Sequence, residues 1–257
     1  MEIDISFPES LEKVTFASLL IESVKYLMFH RYQTPLPIDQ LQAEDERDRR
    51  HENARRSPRH RPIPAVLKKK RKFLAEVDDL LINLYQVFLQ TDVVEMILLF
   101  GATLVSPKEI YSIKFEGNHE LTSMDEVKIA CATGKENHSR TRSKFQDKCC
   151  RKLAKCLFTN PSLNKLGELG TTSMHCLILA PRTTETSWLR PRASFKLPCK
   201  IKPYKIKIQG AKDDSKMVSK DVMESKDVDG HVGMLVENDL LWFETPVVIK
   251  GYKGAFT

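Results

Sequence analysis

The chain has 257 residues, enough for one or two domains and for a real hydrophobic core. With 41% hydrophobic and 29% charged residues, the composition is that of an ordinary globular chain and excludes disordered and fibrous classes. The net charge is +7, but residues 47–72 hold twelve Arg or Lys against two acids, Asp48 and Glu52; that stretch alone carries +10 and the remainder −3.

No apolar run approaches the roughly 18 residues of a membrane span; the best, Val93 to Phe100, is short and carries Glu95. Met1-Glu2-Ile3-Asp4-Ile5 lacks the positive-then-apolar order of a secretory signal, so a cytosolic or nuclear chain is expected. In that compartment the six cysteines, Cys131, Cys149, Cys150, Cys156, Cys176 and Cys199, are expected as free thiols, and none has Cys-x-x-Cys spacing.

In chain order, Leu11, Val14, Phe16, Leu19, Leu20, Val24, Leu27 and Met28 form one apolar stripe and predict a helix over 11–32, stopped by Thr34-Pro35-Leu36-Pro37. Residues 42–64 hold no aromatic, one aliphatic (Ile63) and three prolines; they predict a mobile, disordered basic loop. A second helix is predicted from about Ala65 to Gln90, with Leu74, Val77, Leu81, Leu84 and Phe88 inward and Lys68 to Lys72 on its first turns. Glu95 to Phe100 and Glu109 to Phe115 read as strands, and 116–142 as part strand, part loop.

A third helix is predicted over about Ser143 to Leu166. Strands follow at Met174 to Ala180, along the alternating stretch Ser194 to Gln209, at His231 to Glu237 and at Leu240 to Lys250; 210–230 reads as a flexible loop. Three helices followed by a mostly antiparallel sheet predict an α+β layer fold without internal repeats.

Catalytic signatures are thin. There is no phosphate-binding Gly-x-x-x-x-Gly-Lys-Ser/Thr, no Gly-x-Gly-x-x-Gly and no His-Glu-x-x-His, and only ten glycines are present. The histidines are scattered, and the one hydrolase candidate is the neighbouring pair His175 and Cys176. No enzyme, metal or cofactor is expected. Lys68-Lys69-Lys70-Arg71-Lys72 reads as a solvated loop, a nuclear-import patch or a nucleic-acid patch, but no aromatic occurs from Lys72 back to Gln33, so base stacking is missing.

The third helix carries more. Advancing about 100 degrees per residue from Leu153, Cys149, Cys150, Cys156 and Leu157 fall within about 60 degrees and make the core face. Phe158 falls near 140 degrees, beside Arg151 and Ala154. It either tucks under the chain where the helix frays toward Pro161 or offers an aromatic anchor to another protein, the chemistry of an interface hot spot. Trp188-Leu189-Arg190-Pro191-Arg192 predicts a presented loop between strands, and Trp242 a core position on the closing strand.

These segments resemble the comet family, spindle-checkpoint antagonists that bind mitotic-arrest-deficient protein two. The resemblance runs from the first helix to the C-terminus. It is carried by Pro35-Leu36-Pro37 with Gln40-Leu41; Ser106-Pro107-Lys108-Glu109 with Tyr111; Arg151-Lys152-Leu153 with Phe158; Trp188 with Arg190-Pro191 and Pro198; and Trp242-Phe243 with Pro246-Val247 and Lys250-Gly251.

The resemblance implies a single HORMA-like domain over 1–257 in a closed arrangement, its C-terminal segment completing the fold. It implies a non-enzymatic adaptor that docks on the closed checkpoint protein and recruits a pachytene-checkpoint-type AAA+ ATPase. The outcome is disassembly of the mitotic checkpoint complex, in nucleus and cytoplasm and at the spindle or kinetochore. The partner surface falls on His30, Lys152, Ala154, Lys155 and Phe158, with Arg151 beside the aromatic, and the ATPase contact on Pro191 and Arg192. The chain departs from the family pattern at His30 (glutamine in the family), Ala154 (phenylalanine) and Arg192 (lysine). A basic nuclear protein binding nucleic acid through 47–72 is the alternative.

Overall fold

The computed structural model describes residues 2–54, 63–116, 142–184, 186–211 and 239–254. The first half runs β1 (Glu2–Ser6), α1 (Lys13–His30), α2 (Ile38–Ala54), α3 (Ala65–Gln90), β2 (Glu95–Gly101) and β3 (Pro107–Glu116). The second half runs α4 (Lys144–Phe158), α5 (Pro161–Asn164), β4 (Ser173–Pro181), β5 (Arg190–Pro191), β6 (Tyr204–Gln209), β7 (Leu240–Glu244) and β8 (Ile249–Lys250).

The strands form one sheet in the order β1-β6-β3-β2-β4-β7-β5, with β8 beside β4. Pairing is parallel where β6 meets β1 and β3 and antiparallel elsewhere, so the chain has the expected α+β class with a mostly antiparallel sheet. Period-two alternation sends Met96, Leu98 and Phe100 of β2 and Tyr111, Ile113 and Phe115 of β3 to the same face. There they pack with Leu20, Val24 and Leu27 of α1, Val77, Leu84 and Phe88 of α3, and Leu153 and Leu157 of α4.

Three expectations are corrected. Residues 42–54 are not a loop: α2 runs through them and packs on α3. Its apolar content is low, but Ile38 and Leu41 enter the core, and charges hold the rest. Asp45 is buried between Arg49 (2.7 Å) and Arg71 (3.0 Å), Glu52 meets Arg71 at 3.0 Å, and Gln42 donates to Asp78 at 2.6 Å. Composition argued for disorder because it cannot register ion pairs made to another helix.

The third predicted helix is two. Asn160 accepts from the backbone of Ser162 and Leu163, and Pro161 opens α5, so the chain stops after Phe158 and restarts. The alternating stretch from Ser194 is a strand only from Tyr204. Pro198 and Pro203 lack donors for a ladder. Phe195, Leu197 and Ile201 instead lie over Ile97, Leu99, Ile110 and Leu177 on the sheet's other face, with the Phe195 ring edge-on to Trp242 at 5.7 Å.

Strand β1, not foreseen, buries Ile3 and Ile5 and extends the sheet beyond β6. The expectations for 55–62, for 117–141, and for the loop and strand between 212 and 238 lie outside the described residues.

Candidate functional site

Helix α4 begins with a reciprocal cap: the Gln146 backbone donates to Ser143 Oγ at 3.1 Å and the Ser143 backbone to Gln146 Oε1 at 3.0 Å. Cys149, Cys150, Leu153 and Leu157 are buried, and burial pushes the Cys150 thiol up to about 11. Arg151, Lys152, Ala154, Lys155 and Phe158 are exposed, Phe158 at 69%.

Phe158 is not tucked under a fraying end. Its carbonyl accepts from Asn164 Nδ2 at 2.9 Å, and Thr159 Oγ1 donates to the Lys155 carbonyl at 2.8 Å. The last turn of α4 is therefore closed by α5, and the ring stands outward on a capped backbone. Lys152 is less free than its position suggests. Its ammonium donates to the Ser6 carbonyl at 2.6 Å and lies 4.9 Å from the Phe7 ring centre, fastening α4 to the end of β1.

His30 ends α1, which packs along α4. Its ring is half-buried and stacked on Tyr26 with centres 5.3 Å apart. Burial holds the His30 pKa below its ordinary 6.5 and pushes the Tyr26 phenol up to about 12. His30 thus faces the protein more than solvent. The exposed aromatics at this end of α1 are Phe29 (39%) and Tyr32 (52%), which sequence reasoning did not single out. The missed signal is that most of α1 is buried, so an aromatic left outside it is unusual.

Pro191 and Arg192 are not in a free loop. Strand β5 pairs with β7, setting Pro191 opposite Phe243. The Arg192 backbone donates to the Trp242 carbonyl at 2.7 Å, and its guanidinium donates to the buried Glu244 carboxylate at 2.6 Å. The glutamate on the neighbouring strand, invisible at this range in sequence, pulls the edge in. Both residues keep exposed surface.

The basic run lies on the first turns of α3 and is divided by α2. Lys70 is paired with Asp48, Arg71 with Asp45 and Glu52, and Lys72 lies 3.8 Å from Glu76, while Lys68 and Lys69 are exposed. A solvated loop is therefore excluded for Lys68 to Lys72. The pair His175 and Cys176 cannot act together: neighbours on β4, they point to opposite faces. Cys176 is fully buried, which drives its thiol far above the usual range. Among the described residues, no group of three or more His, Cys, Asp or Glu is placed to hold a metal ion. None of their helices is long and apolar enough to cross a membrane.

The α+β layer thus presents, on α4, a cationic face tipped by a capped, exposed aromatic. The family model described as "p31comet: Mad1 and Cdc20-bound-Mad2 binding" matches residues 2–254, and the chain belongs to that family. Two proteins called MAD2L1-binding protein are similar to it. The one from Mus musculus is 20% identical over 250 residues, covering 97% of this chain and 78% of that protein. The one from Homo sapiens is 20% identical over 253 residues, covering 98% and 80%.

Proposed function

We propose that this chain is a non-enzymatic adaptor that docks on the closed conformer of the Mad2-type checkpoint protein. It recruits a pachytene-checkpoint-type AAA+ ATPase to open that protein, which disassembles the mitotic checkpoint complex and silences the spindle checkpoint. The observation carrying the docking step is the outward Phe158 on the capped end of α4, in a chain whose family is described by Mad2 binding. Arg151, Ala154 and Lys155 flank it; Lys152 contributes from a tethered position, and His30 supports the adjoining helix end. A HORMA-like closed arrangement is supported by the C-terminal strands β7 and β8, which lie beside β4.

Catalysis in the chain is unnecessary. A binder moves a two-state equilibrium by its differential affinity, about 5.5 kcal/mol for a swing from 1:99 to 99:1. Pull-downs with separately prepared open and closed conformers test this: capture of the closed form is expected, and equal capture of both would sink the proposal. Phe158→Ala is expected to weaken binding by about 2 kcal/mol or more, the hot-spot range, read by calorimetry. An unchanged Kd removes Phe158 from the interface. Pro191→Ala with Arg192→Ala is expected to leave the binary complex intact and abolish ATPase recruitment; joint loss of both would show that the two surfaces are one.

A further inference from the structure

Helix α2, the start of α3 and the C-terminal segment meet around an open groove of about 320 Å³. Its wall is apolar where the three come together: Pro35 and Leu41 from the α2 side, Pro64 and Val66 at the start of α3, and Tyr252 from the C-terminal segment. Leu41 is buried, but Val66 is left 49% exposed and Ile63, just ahead of it, 51%. Of the lining charges, Asp48 and Lys70 are paired with each other and Glu44 is only half-buried, so an apolar side chain seated here strands no charge. Half-exposed aliphatics around a concave surface are what a cover would bury.

The chain carries such a cover two residues away. Tyr252 is already laid on α3: its ring stacks on Phe73 with centres 5.4 Å apart, and its backbone N–H binds the Gln33 carbonyl at 2.7 Å. Gly254 forms part of the groove wall and stands in the left-handed region at φ 72, where glycine turns a chain without a Cβ clash. Ala255, Phe256 and Thr257 lie beyond the described residues, and Phe256 is the one large apolar side chain among them. Two residues span at most about 7 Å, so a Phe256 tethered to Gly254 stays within reach of the groove. An apolar cavity of about 150 Å³ takes up benzene, so a groove of about twice that volume has room for a phenyl ring. So short a tether also gives the ring an effective concentration on the order of millimolar.

We propose that Phe256 seats in this groove and that the segment after Gly254 is a strap across α2 and α3. The strap gives α2 an apolar hold that its own composition lacks, since beyond Ile38 and Leu41 that helix is fastened to α3 by charge pairs. It stands apart from the docking role given to Phe158.

The test uses the full chain with its methyl groups labelled and compares wild type with Phe256→Ala, Phe256→Leu and Thr257→Ala. Nuclear Overhauser contacts from the Phe256 ring to the Val66 and Leu67 methyls are expected in wild type, at concentrations where sedimentation shows a monomer. In Phe256→Ala, amide hydrogen exchange across 38–52 is expected to speed up about fivefold or more, while Phe256→Leu stays within about twofold of wild type. Thr257→Ala is expected to leave exchange unchanged. Absence of the ring contacts would overturn the proposal, and so would unchanged exchange in Phe256→Ala. An equal acceleration in Thr257→Ala would overturn it too, because the effect would then not belong to the ring. Contacts seen only between differently labelled copies would assign the groove to a second copy of the chain and remove the strap.

Discussion

Replacing Glu109 by alanine strips a buried guanidinium of its counter-ion. Arg31 is 1% exposed and donates to Glu109 through Nε at 2.8 Å and Nη2 at 2.6 Å, with Nη2 also reaching the Gly167 carbonyl at 2.8 Å. Tyr111 donates its hydroxyl to the same carboxylate at 2.8 Å. Breaking a buried pair by removing one partner costs about 3 to 5 kcal/mol, because the surviving charge is left desolvated. The Gly167 carbonyl remains, which sets the expectation for Glu109→Ala at the lower end, about 3 kcal/mol. At roughly 2 to 4 °C per kcal/mol for a chain of this size, Tm is expected to fall by about 6 to 12 °C. Thermal unfolding at neutral pH reads this directly. The double change Arg31→Met, Glu109→Leu removes both charges and is expected to be less harmful than Glu109→Ala alone. A Glu109→Ala protein melting within about 2 °C of wild type would refute the reasoning. So would simple additivity of the single effects in the double variant.

Two further outcomes follow from charge placement. Asp45→Ala leaves Arg71 and Arg49 without their shared buried carboxylate, so α2 is expected to loosen by about 1.5 to 3 kcal/mol, the range for hydrogen bonds to charged groups. Limited proteolysis should then cleave within 42–52 well before global unfolding, and unchanged protection there would remove the ion pairs as the reason α2 is a helix. Burial lowers the pKa of both His30 and His175 from 6.5, so the folded state favours neutral imidazole while the unfolded chain takes up protons near 6.5. Stability is therefore expected to fall as pH drops below about 6.5, until the lowered folded pKa values are passed. His175 lies near the Ala102 backbone and Glu244, and His30 near Asn164, Arg31 and Glu109. The Tm difference between pH 7.5 and 5.5 should shrink in His30→Gln with His175→Gln; an undiminished difference would place the pH dependence elsewhere.

The elements legible in the sequence are those whose periodicity answers to a single buried face. α3 runs from Ala65 to Gln90 as its apolar stripe predicts, and β2 and β3 contain the predicted strands. What stayed hidden depends on partners distant in the chain. Glu2 to Ser6 alternates over only five residues, too few to announce a strand, and becomes one because β6 lies alongside. α2 has too few aliphatics to claim a core position, and its carboxylates find their cations on α3. The stretch from Ser194 shows the converse: its alternation is real, but prolines turn it into a strap that lies on the sheet without joining it.

The candidate site divides in the same way. Helical arithmetic put Phe158 away from the core face, because a helix fixes side-chain direction from position alone, but left open whether the ring tucked under the chain or stood outward. It could not foresee that Lys152 bends back to Ser6, that Arg192 closes on Glu244, or that His30 lies against Tyr26, since charge and size do not say which neighbour a side chain will find. The motif residues Glu109, Tyr111 and Gly251 make close contacts inside the chain. Glu109 and Tyr111 hold Arg31, just beyond the last residue of α1. Gly251 lies so close to Gln33 that a Cβ there would stand 2.7 Å from its amide oxygen, and the next residue, Tyr252, donates its backbone N–H to the Gln33 carbonyl at 2.7 Å. The motifs that identify this chain thus lock the end of α1 between the sheet and the C-terminal segment. On the docking role proposed above, that rigidity spares the surface beside it an ordering cost when a partner binds.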